Sequence, residues 1–312
     1  MTLGPGESLD AYLANQPLIE AVWGRLSARI AAYPVHLGEW SHGFFGAVGP
    51  TYFSQRDAAP ILHLPVWLGR RVPPKELLDI LEGTALAYAA VRAQDNVIDE
   101  PESRGKTPLL LAANAWLWDA RDLWGNPGDA EFSARSRAAW IEFSEQTEAE
   151  RRQLAQEQYL ELDFIEHAKK CALAEVPIYA VMAASRDWSG VNHVAPLIHA
   201  LACSYGRFND VTGVDRDLAS GANTLLICKA REHAANAGPD AGGREVLQRI
   251  LRTSPIIEDF LDAAARDLLA ALPHAEALGM DEFPAFVAER SQRLAQMRDG
   301  YTVARLAALF AA

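Results

Sequence analysis

The chain has 312 residues, half of them apolar and 22% charged, with a formal net charge of −12 at pH 7. So much Leu, Ala, Val and Ile can bury a sizeable core, which excludes general disorder. The acidic balance excludes nucleic acid and anionic membrane as main partners, since both reward clustered Lys and Arg; a small cation, or metal ions held by the acids, suits it better.

In chain order, the opening MTLGPGESLDAYLANQPLIEA lacks a basic stretch followed by an apolar one, and no apolar run reaches about 18 residues. The expectation is a cytoplasmic protein without an integral membrane span. Period-2 alternation is not sustained anywhere, and β-branched residues are sparse beside Ala and Leu, so the fold class expected is all-α. Candidate helices run through Leu9 to Tyr33, Pro74 to Glu100, Pro108 to Trp124, Asp129 to Gln158, Tyr159 to Met182, Ala195 to Leu218, Gly243 to Leu251, Pro255 to Leu272 and Asp281 to Phe310. Pro and Gly punctuate them at Leu37 to Pro65, Asn126 to Gly128, Asp187 to Asn192, Asn236 to Gly242 and Leu278 to Met280. None of these breaks has the length of an interdomain linker, and no fixed-period repeat occurs, so residues 1–312 read as a single helical domain. Cys171, Cys203 and Cys228 lie in apolar segments with neither zinc-type pairing nor an even-numbered disulfide framework, as expected of buried thiols. His36, His42, His63, His167, His193 and His199 show no metal-ligand spacing.

Two helices change character at their C-terminal ends. In Pro74 to Glu100 the apolar stripe Leu77, Leu81, Ala85, Tyr88 and Val91 or Arg92 continues at helical spacing to Asp95 and Asp99. Carboxylates at a helix C-terminus are disfavoured by the dipole unless cations offset them, and an i, i+4 pair of oxygens suits Mg²⁺, which takes one or two carboxylates plus water and phosphate. In Ala195 to Leu218 the stripe Ile198, Leu201 or Ala202, and Tyr205 runs into Asn209, Gly213 and Asp217, with Asp210 and Asp215 beside it. Two such helices facing one another would enclose a deep apolar cavity with a metal-binding mouth, suited to a long hydrocarbon tail on an anionic head. The remaining acid-rich stretch, Glu142 to Glu161, reads as solvated surface.

The segment Asp95-Asn96-Val97-Ile98-Asp99, then Glu100 to Ser103, then Arg104-Gly105-Lys106-Thr107-Pro108, resembles the Asp-Asp-x-x-Asp, four-residue, Arg-Arg-Gly-x-Pro signature of trans-prenyl diphosphate synthases. Asn96 replaces the second Asp, and one arginine instead of two precedes the glycine. The segment Asn209-Asp210-Val211-Thr212-Gly213-Val214-Asp215-Arg216-Asp217 resembles the Asn-Asp-x-x-Ser-x-x-x-Glu triad of class I terpene cyclases, followed as in bacterial members by a glycine and an asparagine, here Gly221 and Asn223, before an apolar run. Gly213 stands where that family has Ser or Thr, and Asp217 where it has Glu. The resemblance covers roughly residues 75 to 230 and is specific at the two motifs.

The resemblance implies a class I terpenoid synthase bundle with a central apolar cavity. It implies three Mg²⁺ ions gripping a prenyl diphosphate, with Asp95, Asp99, Asn209 and Asp217 as catalytic metal ligands, Asp210 beside them, and Gly213 at a triad position without a side-chain ligand. Arg92, Arg104, Lys169, Lys170, Arg207 and Arg216 are the expected diphosphate-binding bases, Lys170-Cys171 standing where the synthases have Lys-Thr. Arg298 and Tyr301 match the cyclases' adjacent Arg-Tyr pair poorly. Phe44, Phe45, Tyr52, Phe53, Tyr88, Trp116, Tyr179, Met182 and Tyr205 are candidate wall residues, each also fitting ordinary core. The function so implied is ionisation of a linear or pre-cyclised prenyl diphosphate and release of diphosphate, giving a cyclic sesqui- or diterpene hydrocarbon or alcohol. The alternatives are a prenyl diphosphate synthase or prenyltransferase, for which Gly69-Arg70-Arg71-Val72-Pro73 is a partial echo of the Gly-Lys-x-x-Arg-Pro pocket, and a non-catalytic prenyl-lipid binder. A homodimer is the assembly the resemblance suggests.

Overall fold

In the computed structural model, residues 16–48, 60–99, 107–125, 129–156, 158–235 and 243–311 are described, and among them all regular structure is helical. The helices are α1 (Gln16–Ala31), α2 (Val35–Val48), α3 (His63–Leu68), α4 (Pro74–Asp99), α5 (Thr107–Leu123), α6 (Ala130–Leu154), α7 (Glu161–His167), α8 (Val176–Ser185), α9 (Val194–Ser220), α10 (Leu225–Ala235), α11 (Arg244–Thr253), α12 (Ile256–Ala270), α13 (Leu272–Ala277) and α14 (Phe283–Ala311). None is long and apolar enough to cross a membrane. Two compact units are interleaved along the chain: Met1–Ser136 with Val176–Val191, and Arg137–Glu175 with Asn192–Ala312.

In the first unit α4 packs along α5, α1 lies on α4, α2 on α5, and α8 on α3 and α4. Its centre is aromatic. Trp116 is fully buried, its ring centroid 5.2 Å from Phe44 and 5.1 Å from Phe45, and its indole N–H donates to Ser41 Oγ at 3.0 Å. Thus Trp116, Phe44 and Phe45, candidate cavity walls in sequence, pack against one another. Polar clamps fasten α1: Arg25 and Arg29 donate to the buried carboxylate of Glu82 at 2.8 and 2.6 Å, and the Tyr33 hydroxyl donates to Asp119 at 2.6 Å. Burial, then the Asp119 carboxylate, pushes the Tyr33 phenol up from its ordinary value.

The second unit is organised on α9, which packs against α12, α10, α13 and a 3-10 stretch at Ala168–Glu175, with α14 laid on α12. The inner side of α9, including Val194, Leu197, Ile198, Leu201 and Val211, is buried. Gly221 ends the helix in the left-handed region at φ 75°, its N–H donating to the Asp217 carbonyl; only glycine adopts this conformation without Cβ strain, as helix C-caps require.

Several elements depart from the sequence expectation, among them α3 and α13, which lie largely outside every candidate helix. The span Leu37 to Pro65, read as a break because of its Pro and Gly residues, is largely helical up to Val48 as part of α2, where burial of Phe45 and Ser41 outweighs the helix-propensity cost of Gly38, Gly43 and Gly46. The helix expected from Tyr159 to Met182 is three pieces, α7, the 3-10 stretch and α8. Pro177 lacks an N–H and disfavours helical backbone before it, so it fits only in the first turn of α8. α10 was not anticipated: Leu225, Leu226, Ile227 and Cys228 are all buried, so the segment shows no amphipathic period. Residues 9–15, Glu100 and Glu157, which fall in expected helices, lie outside the described residues.

Candidate functional site

The first motif closes α4. The most deeply buried line of this helix is Ala85, Leu86, Ala89, Ala90 and Ala93, whereas Tyr88, Val91 and Asp95 lie beside it, partly open. Asp95 therefore departs from the expectation of a buried acid: its side chain is 45% exposed and accepts a hydrogen bond from Arg92 Nη1 at 2.7 Å, an i, i+3 pair. This gives an oxygen donor beside a guanidinium, both reachable from solvent. The Asp99 side chain, Arg104, Tyr52 and Phe53 lie outside the described residues.

The second motif closes α9. At 100° per residue Arg216, Asn209, Gly213, Asp217 and Asp210 fall within one third of the helix circumference. Asn209 is exposed, Asp217 is buried, and Asp210 points towards α10, where its Oδ2 accepts the Leu226 N–H at 3.3 Å. Asp210 thereby satisfies one of the first N–H groups of α10, which have no partner within their own helix. Its carboxyl is enclosed, and desolvation raises it to about 7; the Leu226 N–H opposes that shift, Asp217 and Glu150 add to it, and Lys170 offsets it. Burial also raises the Asp217 carboxyl, with Arg216 opposing. Two acids held above their ordinary range by enclosure, Asp210 also by the charge of Asp217, make a place where added positive charge is stabilising.

The expected bases are placed very differently from one another. Lys170 pairs with Glu150 and acts on Asp210, which keeps it beside the second motif. Arg216 reaches Asp217 Oδ1 through Nε at 3.2 Å. Lys169 pairs outward with Glu166 at 2.5 Å. Arg207 turns inward: it is buried, donates to Asp267 at 2.8 Å and to Glu161, and lies over the rings of Phe164 and Phe260, 4.8 and 5.7 Å from their centroids. That guanidinium is committed to neighbours within the fold instead of an external anion. Met182 and Tyr179 are buried in α8, and Tyr205 lies beneath the Arg290 guanidinium, 4.7 Å from its ring centroid.

Sequence reading missed three residues around the second motif. Glu150, from the stretch read as solvated, is 20% exposed and tied to Lys170. Tyr159 and His167 are buried together, with the phenol oxygen 3.1 Å from His167 Nδ1. Burial, then the charges of Glu150 and Asp210, pushes the Tyr159 phenol up. Acids on successive turns from Glu142 to Glu150 hide which one turns inward, and neither Tyr159 nor His167 carries a sequence signal for the contact.

The donors present are carboxylate and amide oxygens, the chemistry of Mg²⁺ and not of a thiolate or imidazole metal. Among the described residues no three His, Cys, Asp or Glu side chains converge on a common point. Asp95, Asp210 and Asp217 fit in kind; Gly213 offers no ligand.

No protein-family model matches the sequence, and no curated protein matches it. Solved structures do. The chain is similar to heptaprenyl diphosphate synthase from Staphylococcus aureus, with TM-score 0.71 and 15% identity over 89% of this chain and 96% of that one. It is similar to polyprenyl synthase from Caulobacter crescentus complexed with calcium and isoprenyl diphosphate, with TM-score 0.73 and 13% identity over 92% and 99%. It is also similar to geranylgeranyl pyrophosphate synthase from Corynebacterium glutamicum complexed with isoprenyl diphosphate and magnesium, with TM-score 0.62 and 15% identity over 88% and 98%. The fold is the all-helical fold of these synthases.

Proposed function

We propose that the chain binds a prenyl diphosphate together with divalent cations and ionises it, the allylic cation then closing on itself to give a cyclic sesqui- or diterpene hydrocarbon or alcohol. The observation that carries this reading is the end of α9, where Asn209, Asp210 and Asp217 share one side of a helix whose upstream turns are apolar, and where enclosure raises the carboxyls of Asp210 and Asp217. Support comes from a fold shared with synthases complexed with isoprenyl diphosphate and calcium or magnesium. Asp95, Asp99, Asn209 and Asp210 would hold magnesium, with Asp217 beside them on the same helix; when bound, the metal supplies Lewis-acid charge to a departing diphosphate. Lys170, Arg92 and Arg216 offer charge-assisted N–H donors to the diphosphate oxygens, and apolar side chains keep water from the cation.

Elongation by a second substrate is the competing reading, favoured by the synthase names of the structural neighbours. Against it, Arg71 in the Gly69-Arg70-Arg71 echo is paired with Asp187 at 2.5 Å. Incubation of the purified protein with Mg²⁺ and geranyl, farnesyl or geranylgeranyl diphosphate decides the matter. Hydrocarbon or alcohol with released diphosphate supports cyclisation, and product that needs isopentenyl diphosphate supports elongation. Tight binding without turnover would refute both in favour of a prenyl-lipid binder. Asp95→Ala should abolish Mg²⁺-dependent turnover with the helical spectrum intact. A cytoplasmic location and a homodimeric state belong to the same proposal.

A further inference from the structure

The one triad position without a ligand is filled by charge from elsewhere in the same helix. A β-carbon placed on Gly213 would lie 2.7 Å from Arg216 Nη2 and 3.4 Å from Asp217 Oδ2. The guanidinium thus sits in the volume that a Ser or Thr side chain would claim. Consecutive residues of a helix point about 100° apart and do not ordinarily meet, so the contact from Arg216 Nε to Asp217 Oδ1, 3.2 Å long, requires Arg216 to fold back across the helix surface. Glycine at 213, one turn back on that surface, leaves the path open. The Arg216 side chain remains 78% exposed while touching a buried carboxylate. A guanidinium has five N–H donors, so the donors not turned to Asp217 are free to meet an anion from solvent.

We propose that Arg216 is a built-in cation of the second motif, its guanidinium neutralising Asp217 in the place of a divalent ion and leaving divalent binding to the remaining oxygen ligands. This inference rests on the reading of α9 as a diphosphate-handling helix. It makes Gly213 a requirement of the arrangement instead of a lost ligand, and it lowers the number of metal ions that this chain holds below the three that its resemblance implies. A serine at 213 without a change at 216 would displace the guanidinium and leave one ligand competing with one cation.

The test is Mn²⁺ binding to the full chain without substrate, followed by calorimetry and by the paramagnetic signal of free Mn²⁺. The proteins are wild type, Arg216→Gln, Gly213→Ser/Arg216→Gln, and each with Asp217→Asn, plus Asp95→Asn. Removing a unit positive charge within a few ångströms of a doubly charged ion in a water-like dielectric should tighten binding about tenfold. Gly213→Ser/Arg216→Gln should hold one ion more per chain than wild type, a gain that Asp217→Asn abolishes, whereas Asp217→Asn alone should leave the wild-type ion count unchanged. Loss of an ion from wild type on Asp217→Asn, or no gain in the double variant, overturns the inference. Asp95→Asn reports separately on the parent reading: unchanged Mn²⁺ binding there refutes Asp95 as a ligand, whatever happens at Asp217. Arg216 is largely solvent-exposed, so the variants should retain the wild-type helical spectrum.

Discussion

Arg207→Met separates a structural base from a substrate-binding one. In the native chain the guanidinium is 6% exposed and donates to Asp267 at 2.8 Å and to Glu161, with Phe164 and Phe260 against its faces. Each charge-assisted hydrogen bond contributes roughly 1.5 to 3 kcal/mol. The side chains of Asp267 and Glu161 are 28% and 45% exposed, so water recovers part of that when the partner is removed. A net loss of about 3 kcal/mol is therefore expected, at the low end of what breaking a buried pair costs. With about 2.1 cal/mol/K per residue over 312 residues, the unfolding entropy is about 0.65 kcal/mol/K, and the midpoint should fall by about 5 °C. Thermal melts followed by circular dichroism measure this, and titration with inorganic diphosphate measures the alternative. An unchanged midpoint with lost diphosphate binding would refute the structural assignment. In a double-mutant cycle with Asp267→Asn the two losses should be less than additive.

Burial holds His63 at about 4, below the value for a free imidazole, so the unfolded chain takes up its proton first as pH falls. Stability present above about pH 6.5 should decline by about 3 kcal/mol towards pH 4, and His63→Leu should flatten that part of the urea-denaturation profile; an identical slope would count against it. Asp210→Asn keeps an acceptor for the Leu226 N–H and removes a poorly neutralised charge, so without divalent ions its melting midpoint should equal or exceed that of wild type. A fall of more than a few degrees would show that the ionised carboxylate supports the fold. Trp116→Ala should cost about 3 to 5 kcal/mol, and Trp116→Phe should cost about 1 to 2 by leaving the Ser41 hydroxyl without its donor, both read from chemical denaturation.

Helices with one apolar side were legible from sequence: α4, α9 and α14 lie within a few residues of their expected bounds, because periodicity and Gly221 are local signals. α10 was hidden because Leu225 to Cys228 are buried on every side, and α2 because packing on Trp116 outweighs its glycines. The positions of Asn209, Asp210, Gly213 and Asp217 on one helix could be read from spacing. The destination of Arg207 could not, because its partners Glu161 and Asp267 stand 46 and 60 residues away and only the folded chain brings them together. Glu150 was concealed in the same way among acids that do face water.

The interleaving of the two units constrains how the protein can be made and divided. α8 is an almost wholly buried helix that packs on α3 and α4, yet more than fifty residues of the chain, from α6 to α7 and beyond, separate it from α5. A nascent chain released only to residue 175 presents the surface that α8 covers without its cover, so the first unit completes only after the chain has entered the second and returned. Expression of residues 1–136 alone should therefore yield an aggregation-prone fragment. Sites for inserting a tag or splitting the protein are better sought at a loop outside the Val176–Val191 crossing than at either change of unit.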